Sequence, residues 1–225
     1  MWPRALTLCA LAFNGARRRT AGYCQYARWE RAVMDIYIDF KSPAAFLAFK
    51  PTKAFLTARG QVTPGLRVQW HPFRVVTRQV PQQGTSESVA ESHKRVRAES
   101  RRRIFLKYAE VQNVTMRFPD HRIGTDLALG ALAEIEGDRL PYIAACFAAY
   151  WTDNADLDDA GIVQDLLRQS GAVHSGDLST ARASLEAALD KAEEAGVVDT
   201  PGYIVQGQMF VGREHLPWIG EILDN

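Results

Sequence analysis

The sequence predicts an α/β protein ordered as β-α-β, a large all-helical insertion, then β-β-α. Three observations carry this. A strand pattern at residues 35–40 runs directly into a proline-started helical segment, and a second strand pattern follows at 66–70. Between Ser86 and Gly196 there is almost no strand signal. Two short strand patterns with a glycine between them precede a terminal helix.

Each element has a local cause. Asp35 to Phe40 (DIYIDF) alternates polar and apolar and holds a Tyr and two Ile, which reads as a strand. Ser42-Pro43 then supplies an N-cap serine with proline at the first helical position. The helical segment runs to Arg59, with a kink or break expected at Pro51 because proline removes a backbone donor. Thr63-Pro64-Gly65 is a turn, and Leu66 to Trp70 (LRVQW) is a second strand stopped by Pro72. The insertion, about 86–196, reads as helices over Ser86 to Gln112, Gly124 to Glu136, Pro141 to Trp151, Asp159 to Gln169 and Ser179 to Ala195. Asp138 before Pro141, Asp158-Asp159, Gly171 and Gly196 mark their ends. Tyr203 to Gln206 and Gln208 to Val211 form a tight hairpin about Gly207, and His215 to Leu223 is a last helix. Strands joined through a helix pair in parallel, and a hairpin is antiparallel. The result is a thioredoxin-like fold with helices inserted between its halves.

Composition bounds the rest. A hydrophobic fraction of 47% and a net charge of +1 argue against wholesale dependence on nucleic acid or acidic lipid. The charge is uneven. Residues 1–33 hold six arginines and one acid, for +5, whereas 34–225 hold 21 basic and 25 acidic groups, for −4. The apolar run Ala5 to Phe13 is too short to span a bilayer, and Arg17-Arg18-Arg19 is the wrong flank for a cleaved secretory signal. An organellar presequence is one alternative. The favoured reading makes Met34 the initiator and 1–33 a poorly ordered leader or extension before a domain spanning 34–225. Cys9 and Cys24 lie in that leader, Cys146 sits in an apolar helix as an inert thiol, and no CxxC or zinc-spaced cluster occurs. This suits a reducing, cytoplasmic compartment and excludes a disulfide framework.

Two local features bear on chemistry. The Ser42 hydroxyl and the free amides of the first helical turn would favour an anion, including a thiolate. A plain N-cap is the alternative. In Asp199-Thr200-Pro201-Gly202-Tyr203 a proline stands directly before a strand, where an X-Pro bond can be cis and would turn the Thr200 N–H and C=O outward as a free pair. A simple strand starter is the alternative there. In this topology the two features face each other across one cleft.

The segments DFKSPAAFLAFKP (39–51), VQWHPF (68–73) and DTPGYIVQGQMFVGREHL (199–216) resemble the group of 2-hydroxychromene-2-carboxylate isomerases and kappa-class glutathione transferases, within the DsbA-like thioredoxin superfamily. The resemblance covers about 34–225. It implies that Ser42 hydrogen-bonds the glutathione sulfur as catalytic residue, and that the Thr200-Pro201 backbone holds the cysteinyl part. It places Arg213 and Glu214 where the family has a Ser-Asp or Gln-Asp pair whose acid binds the γ-glutamyl amino group. Arg213 departs from that pattern, as does Gly202, where the family often has Thr or Ser. Lys41 would add positive potential for the thiolate or a substrate carboxylate, or else be solvated.

Other candidates have simpler readings. The basic stretch from His93 to Lys107 is interleaved with Glu99 and flanked by Glu91 and Glu110, and reads as a solvated helix face. His71 reads as structural, and Phe46, Trp70, Trp151 and Trp218 as core or pocket wall, with core preferred. Gly124-Thr125-Asp126 caps a helix. The expected function is a glutathione-dependent isomerase or transferase acting on a small electrophilic substrate, an aromatic one included. Glutathione is the cosubstrate, with no metal, no nucleic acid and no membrane, and a homodimer is allowed. Two other readings stay open: a non-catalytic module binding a peptide along the Thr200-Pro201 edge, and a DsbA-type oxidoreductase by family, which Ser42 disfavours because it cannot form a disulfide.

Overall fold

The computed structural model describes residues 33–62, 65–76, 88–121 and 123–224. The expected leader lies outside the described residues except for Val33, which opens the first strand. The elements follow the expected order: β1 (Val33–Ile38), α1 (Pro43–Val62), β2 (Arg67–Pro72), α2 (Val89–Gln112), α3 (Asp126–Glu134), α4 (Leu140–Asp153), α5 (Ala160–Ser170), α6 (Ala181–Glu194), β3 (Gly202–Val205), β4 (Gln208–Val211), a 3-10 turn (Arg213–His215) and α7 (Leu216–Asp224).

The strands form one mixed sheet in the order β2-β1-β3-β4. β1 is parallel to β2 and antiparallel to β3, which is antiparallel to β4. Met34, Ile36 and Ile38 point into the core, as the alternation of β1 demands. Pro72 is the last residue of β2, an edge strand, where its missing N–H costs no ladder bond. The hairpin turns at Gln206 and Gly207, both with positive φ (51° and 75°), the geometry that matches the twist of the flanking strands.

The insertion meets the sheet at β2 through α3 and α6, while α4 packs on the β1–α1 loop and on α1. Phe40 meets Tyr142 and Phe147 edge-on, and Trp151 stacks on Phe46 while donating from Nε1 to the Phe40 carbonyl (2.9 Å). α3 lies against α6, and the missing side chain of Gly130 admits the Ala181 carbonyl. Helix α2 opens with a capping box, Ser88 and Glu91 bonding reciprocally. Its basic residues lie mainly on exposed turns, with Arg95 paired to Glu99 (3.2 Å) and Lys107 to Glu110 (2.8 Å). Among the described residues no helix is long and apolar enough to cross a membrane.

Three expectations are corrected by packing. Helix α1 does not break at Pro51 but continues through it. Trp218 is 54% exposed rather than core, because α7 turns Leu216, Ile219, Gly220 and Leu223 inward and leaves the indole against Phe210 and His215 at the surface. Thr125 occupies the N-cap position of α3 without capping it. Asp158 Oδ1 accepts from the Leu127 N–H instead (2.7 Å), and Gly124 leaves room for that carboxylate. His71 is structural as expected, paired with Asp35 (2.8 Å) and stacked on Tyr37.

Candidate functional site

The site begins with a buried carboxylate. Asp39, just past β1, is fully buried. It accepts from the Lys41 N–H (3.1 Å), the Val75 N–H (2.8 Å) and the Thr125 hydroxyl (3.3 Å). Burial pushes its carboxyl above the ordinary value, against the Lys41 charge and the hydrogen bonds from Val75, Lys41 and Thr125, which pull it down. Asp39 thus ties the strand-to-helix loop to the segment after β2 and to the start of α3. The Thr125 hydroxyl serves this carboxylate, which is why it does not cap its own helix. Lys41 belongs here too. Its ammonium lies 3.6 Å from Asp39 Oδ2 with 18% of the side chain exposed, so it is neither a solvated lysine nor part of the cleft wall.

This loop delivers Ser42 to the start of α1. Its Oγ accepts from the Ala45 N–H (3.2 Å), which confirms the N-cap, and the Phe46 N–H bonds to its carbonyl (3.0 Å). Proline at position 43 has no N–H, so the Ala44 amide is the first-turn donor left without a partner among the described residues. The Ser42 hydroxyl donates to the Thr200 carbonyl over 3.4 Å, well beyond the usual span of a hydroxyl hydrogen bond. Ser42 and the pre-strand proline therefore do meet, with Ser42 6% and Thr200 3% exposed.

The Thr200-Pro201 peptide is cis. The expectation of a free backbone pair at Thr200 is corrected, however. Its N–H donates to Asp199 Oδ1 (2.8 Å) and its carbonyl accepts from Ser42. What remains unpartnered is the side chain: Thr200 Oγ1 is buried and has no hydrogen bond.

A cleft of about 250 Å³ lies beside this contact, lined by Ala44, Leu47, Phe105, Tyr108, Thr200, Pro201 and the Gly212-Arg213-Glu214 turn, among others. A more open groove of about 920 Å³ shares Tyr108, Arg213 and Glu214 with it and extends along α1 past Pro51, Phe55 and Arg59 to Leu216 and Pro217. The structure thus brings Thr200, Pro201, Arg213 and Glu214 to one cleft, with Ser42 buried at its edge.

The two departures from the family pattern have structural causes. A side chain at Gly202 would meet Met209 Cε at 2.7 Å and the Asp199 carbonyl at 3.0 Å, so Thr or Ser would have to displace the methionine end and crowd that carbonyl. Arg213 donates from Nη1 to the Leu47 carbonyl (3.3 Å). Leu47 is four residues before Pro51, so this is the carbonyl whose helical partner proline removes. The same guanidinium lies 5.3 Å over the Tyr108 ring, joining α1, α2 and the 3-10 turn. The Glu214 carboxylate folds back over Gly212, whose φ of 97° and lack of a side chain permit it. Beneath this turn Tyr203 bonds Thr52 through its hydroxyl (2.8 Å), and its phenol is pushed up to about 12, mainly by burial.

Sequence reasoning missed Asp39 as the organiser of the loop, and Phe105 and Tyr108 as the aromatic wall. Their i, i+3 spacing on α2 marks one helical face, but nothing local shows that this face meets α1. Cys146, the cysteine among the described residues, is buried in α4, and burial pushes its thiol well up.

Comparison with known proteins fits this geometry. The chain belongs to the DSBA-like thioredoxin domain family, which it matches over residues 33–224. Its structure is similar to a 2-hydroxychromene-2-carboxylate isomerase (TM-score 0.60, 16% identity, covering 85% of this chain and 94% of the other). It is similar to a probable DsbA oxidoreductase from Streptomyces coelicolor (TM-score 0.64, 13% identity, 86% and 88%). It is also similar to the cytosolic disulfide reductase DsbM from Pseudomonas aeruginosa with GSH (TM-score 0.54, 13% identity, 84% and 96%). At such identities the likeness establishes the fold. No curated protein matches the chain at a significant level.

Proposed function

We propose that this protein is a glutathione-dependent isomerase or transferase acting on a small electrophilic, aromatic substrate in the cytoplasm, without dithiol redox chemistry. One observation carries the proposal: a serine, not a cysteine, stands at the start of α1, with its hydroxyl on the carbonyl before the cis proline at the edge of a cleft. A hydroxyl can hydrogen-bond a sulfur but cannot exchange with a disulfide, and Cys146 is buried away from the cleft. The site therefore suits a thiol that binds, reacts and leaves.

Glutathione, when bound, would supply a thiolate that adds to a conjugated double bond and leaves a delocalised carbanion, which either rotates about the new single bond and expels the thiolate or takes a proton from solvent and stays as the conjugate. The protein's part is to hold and orient. Ser42 turns its weak bond from the Thr200 carbonyl to the sulfur. The Ala44 amide and the positive end of α1 favour the anion. Thr200 and Pro201 form the backbone rest, and Arg213 and Glu214 offer both charges for the ends of the tripeptide. Phe105 and Tyr108 supply an aromatic wall for the electrophile. Lys41 contributes at most through the loop it braces.

The test is Ser42→Ala, assayed for glutathione-dependent aryl cis–trans isomerisation. Turnover is expected to fall at least about tenfold while the fold persists, since losing this cap costs only about 1 kcal/mol. Unchanged turnover would exclude the role of Ser42. Calorimetric titration with glutathione separates enzyme from peptide-binding module: no heat at millimolar ligand favours the module, for which the open groove along α1 would be the seat.

A further inference from the structure

We infer that the Thr200 hydroxyl is a second hydrogen-bond donor to the ligand sulfur, so that the thiolate is held between two hydroxyls, those of Ser42 and Thr200. The inference rests on the reading that this cleft binds a thiol, and adds to it a side-chain role for a residue so far treated as backbone.

The first ground is the orphan itself. Thr200 is 3% exposed, lines the cleft, and its Oγ1 has no partner. A buried hydroxyl left unpaired is costly, and valine would fill the same volume without that cost. Among the described residues, the other unpaired buried side-chain polar atoms, on Gln112 and Asn154, do not line this cleft. The second ground is that the main-chain donor of Thr200, its N–H, is already engaged by Asp199, while its carbonyl can accept but not donate. The hydroxyl is the donor that Thr200 has left for a sulfur.

The third ground is the character of the surroundings. Leu47, Phe105, Pro201 and Val211 make much of the lining apolar; its charged members are Arg213, Glu214 and Asp199, whose Oδ1 accepts from the Thr200 N–H, and Lys41 is turned to Asp39. A thiolate beside those two carboxylates needs the helix start and hydroxyl donors aimed at it to stay ionised. On ionisation the S–H proton leaves to solvent. Both hydroxyls keep their protons and point them at the sulfur, so no bond of the protein is made or broken.

The experiment titrates the thiol of protein-bound glutathione by its ultraviolet thiolate absorbance, in wild type, Thr200→Val and Thr200→Ser. Valine is expected to raise the bound thiol pKa by about one unit, a tenfold loss in the thiolate-to-thiol ratio, and serine to restore it. In the absence of glutathione, valine is expected to raise the melting temperature by about 2–4 °C, since it removes an unsatisfied hydroxyl. A merely structural threonine would move stability the other way and leave the thiol alone. An unchanged thiol pKa in Thr200→Val overturns the inference. If valine does not fold, Thr200→Ala is read by the same titration. Failure of the wild type to bind glutathione overturns the thiol reading beneath, takes this inference with it, and is visible before any variant is made.

Discussion

Arg213 is expected to act as a prosthesis for the helical bond that Pro51 removes. In a helix with proline at 51, the Leu47 carbonyl has no N–H partner, and Arg213 Nη1 reaches it from the 3-10 turn at 3.3 Å. A hydrogen bond from a charged donor contributes about 1.5–3 kcal/mol, and this one is long and half-buried, so about 1.5 kcal/mol is the fitting figure. The stacking on Tyr108 adds about 0.5–1 kcal/mol. Arg213→Ala should then destabilise by about 2 kcal/mol. In a Pro51→Ala background the new amide satisfies Leu47 along the helix axis, and only the stacking is lost, so the same substitution should cost about 0.5–1 kcal/mol. The coupling of about 1 kcal/mol is within the range that double-mutant cycles resolve. Urea unfolding of the four proteins measures it, with unchanged slopes required for the comparison. Equal costs of Arg213→Ala in both backgrounds would refute the capping argument and return Arg213 to the status of an unexplained departure.

The remaining expectations concern parts of the molecule away from the cleft. Cys146 should resist alkylation in the native protein and react only on unfolding, as mapped by mass spectrometry; native modification at rates near those of a free thiol would contradict its burial. Glu134 is pulled upward by burial, but hydrogen bonds from Ser184 (2.6 Å), Thr180 (2.7 Å) and His174 (3.0 Å) outweigh this and hold its carboxyl below the ordinary value of 4.5. A depressed carboxyl stabilises the fold above its unfolded-state value and loses that contribution as pH falls through the folded one. Glu134→Gln should therefore lower the urea midpoint at about pH 7, with the gap to wild type closing below about pH 4.5; a pH-independent gap would sink this assignment.

The fold was legible because its punctuation is local. Ser42-Pro43 opens α1, Gly171 closes α5 with a left-handed cap, Gln206-Gly207 turns the hairpin, and the alternation of β1 sets which face is buried. Ser42 and Pro201 could be placed together because element order fixes topology and topology fixes the cleft. What could not be read was every contact in which a polar side chain reaches across the chain. Thr125 serves Asp39 at a separation of 86 residues, and Arg213 serves Leu47 at 166. Pattern rules assign such residues to the nearest local job, a cap or a ligand clamp, because local geometry is all that spacing encodes. Of the kink or break expected at Pro51, the break fails for the same reason: the rule for proline counts the lost bond and cannot see the replacement donor.

Gly202 and Arg213, taken as letters, weaken the likeness to glutathione-binding relatives. Taken as atoms, the first makes room for Met209 against the Asp199 carbonyl, and the second closes a gap in α1 while leaving most of its guanidinium donors uncommitted at the rim of the cleft. Neither substitution fills the space beside Ser42 and Thr200. The Thr200 hydroxyl is a buried, unpaired donor beside the cleft, a cost that valine would remove. A ligand seated in the cleft and accepting from that hydroxyl would remove it as well.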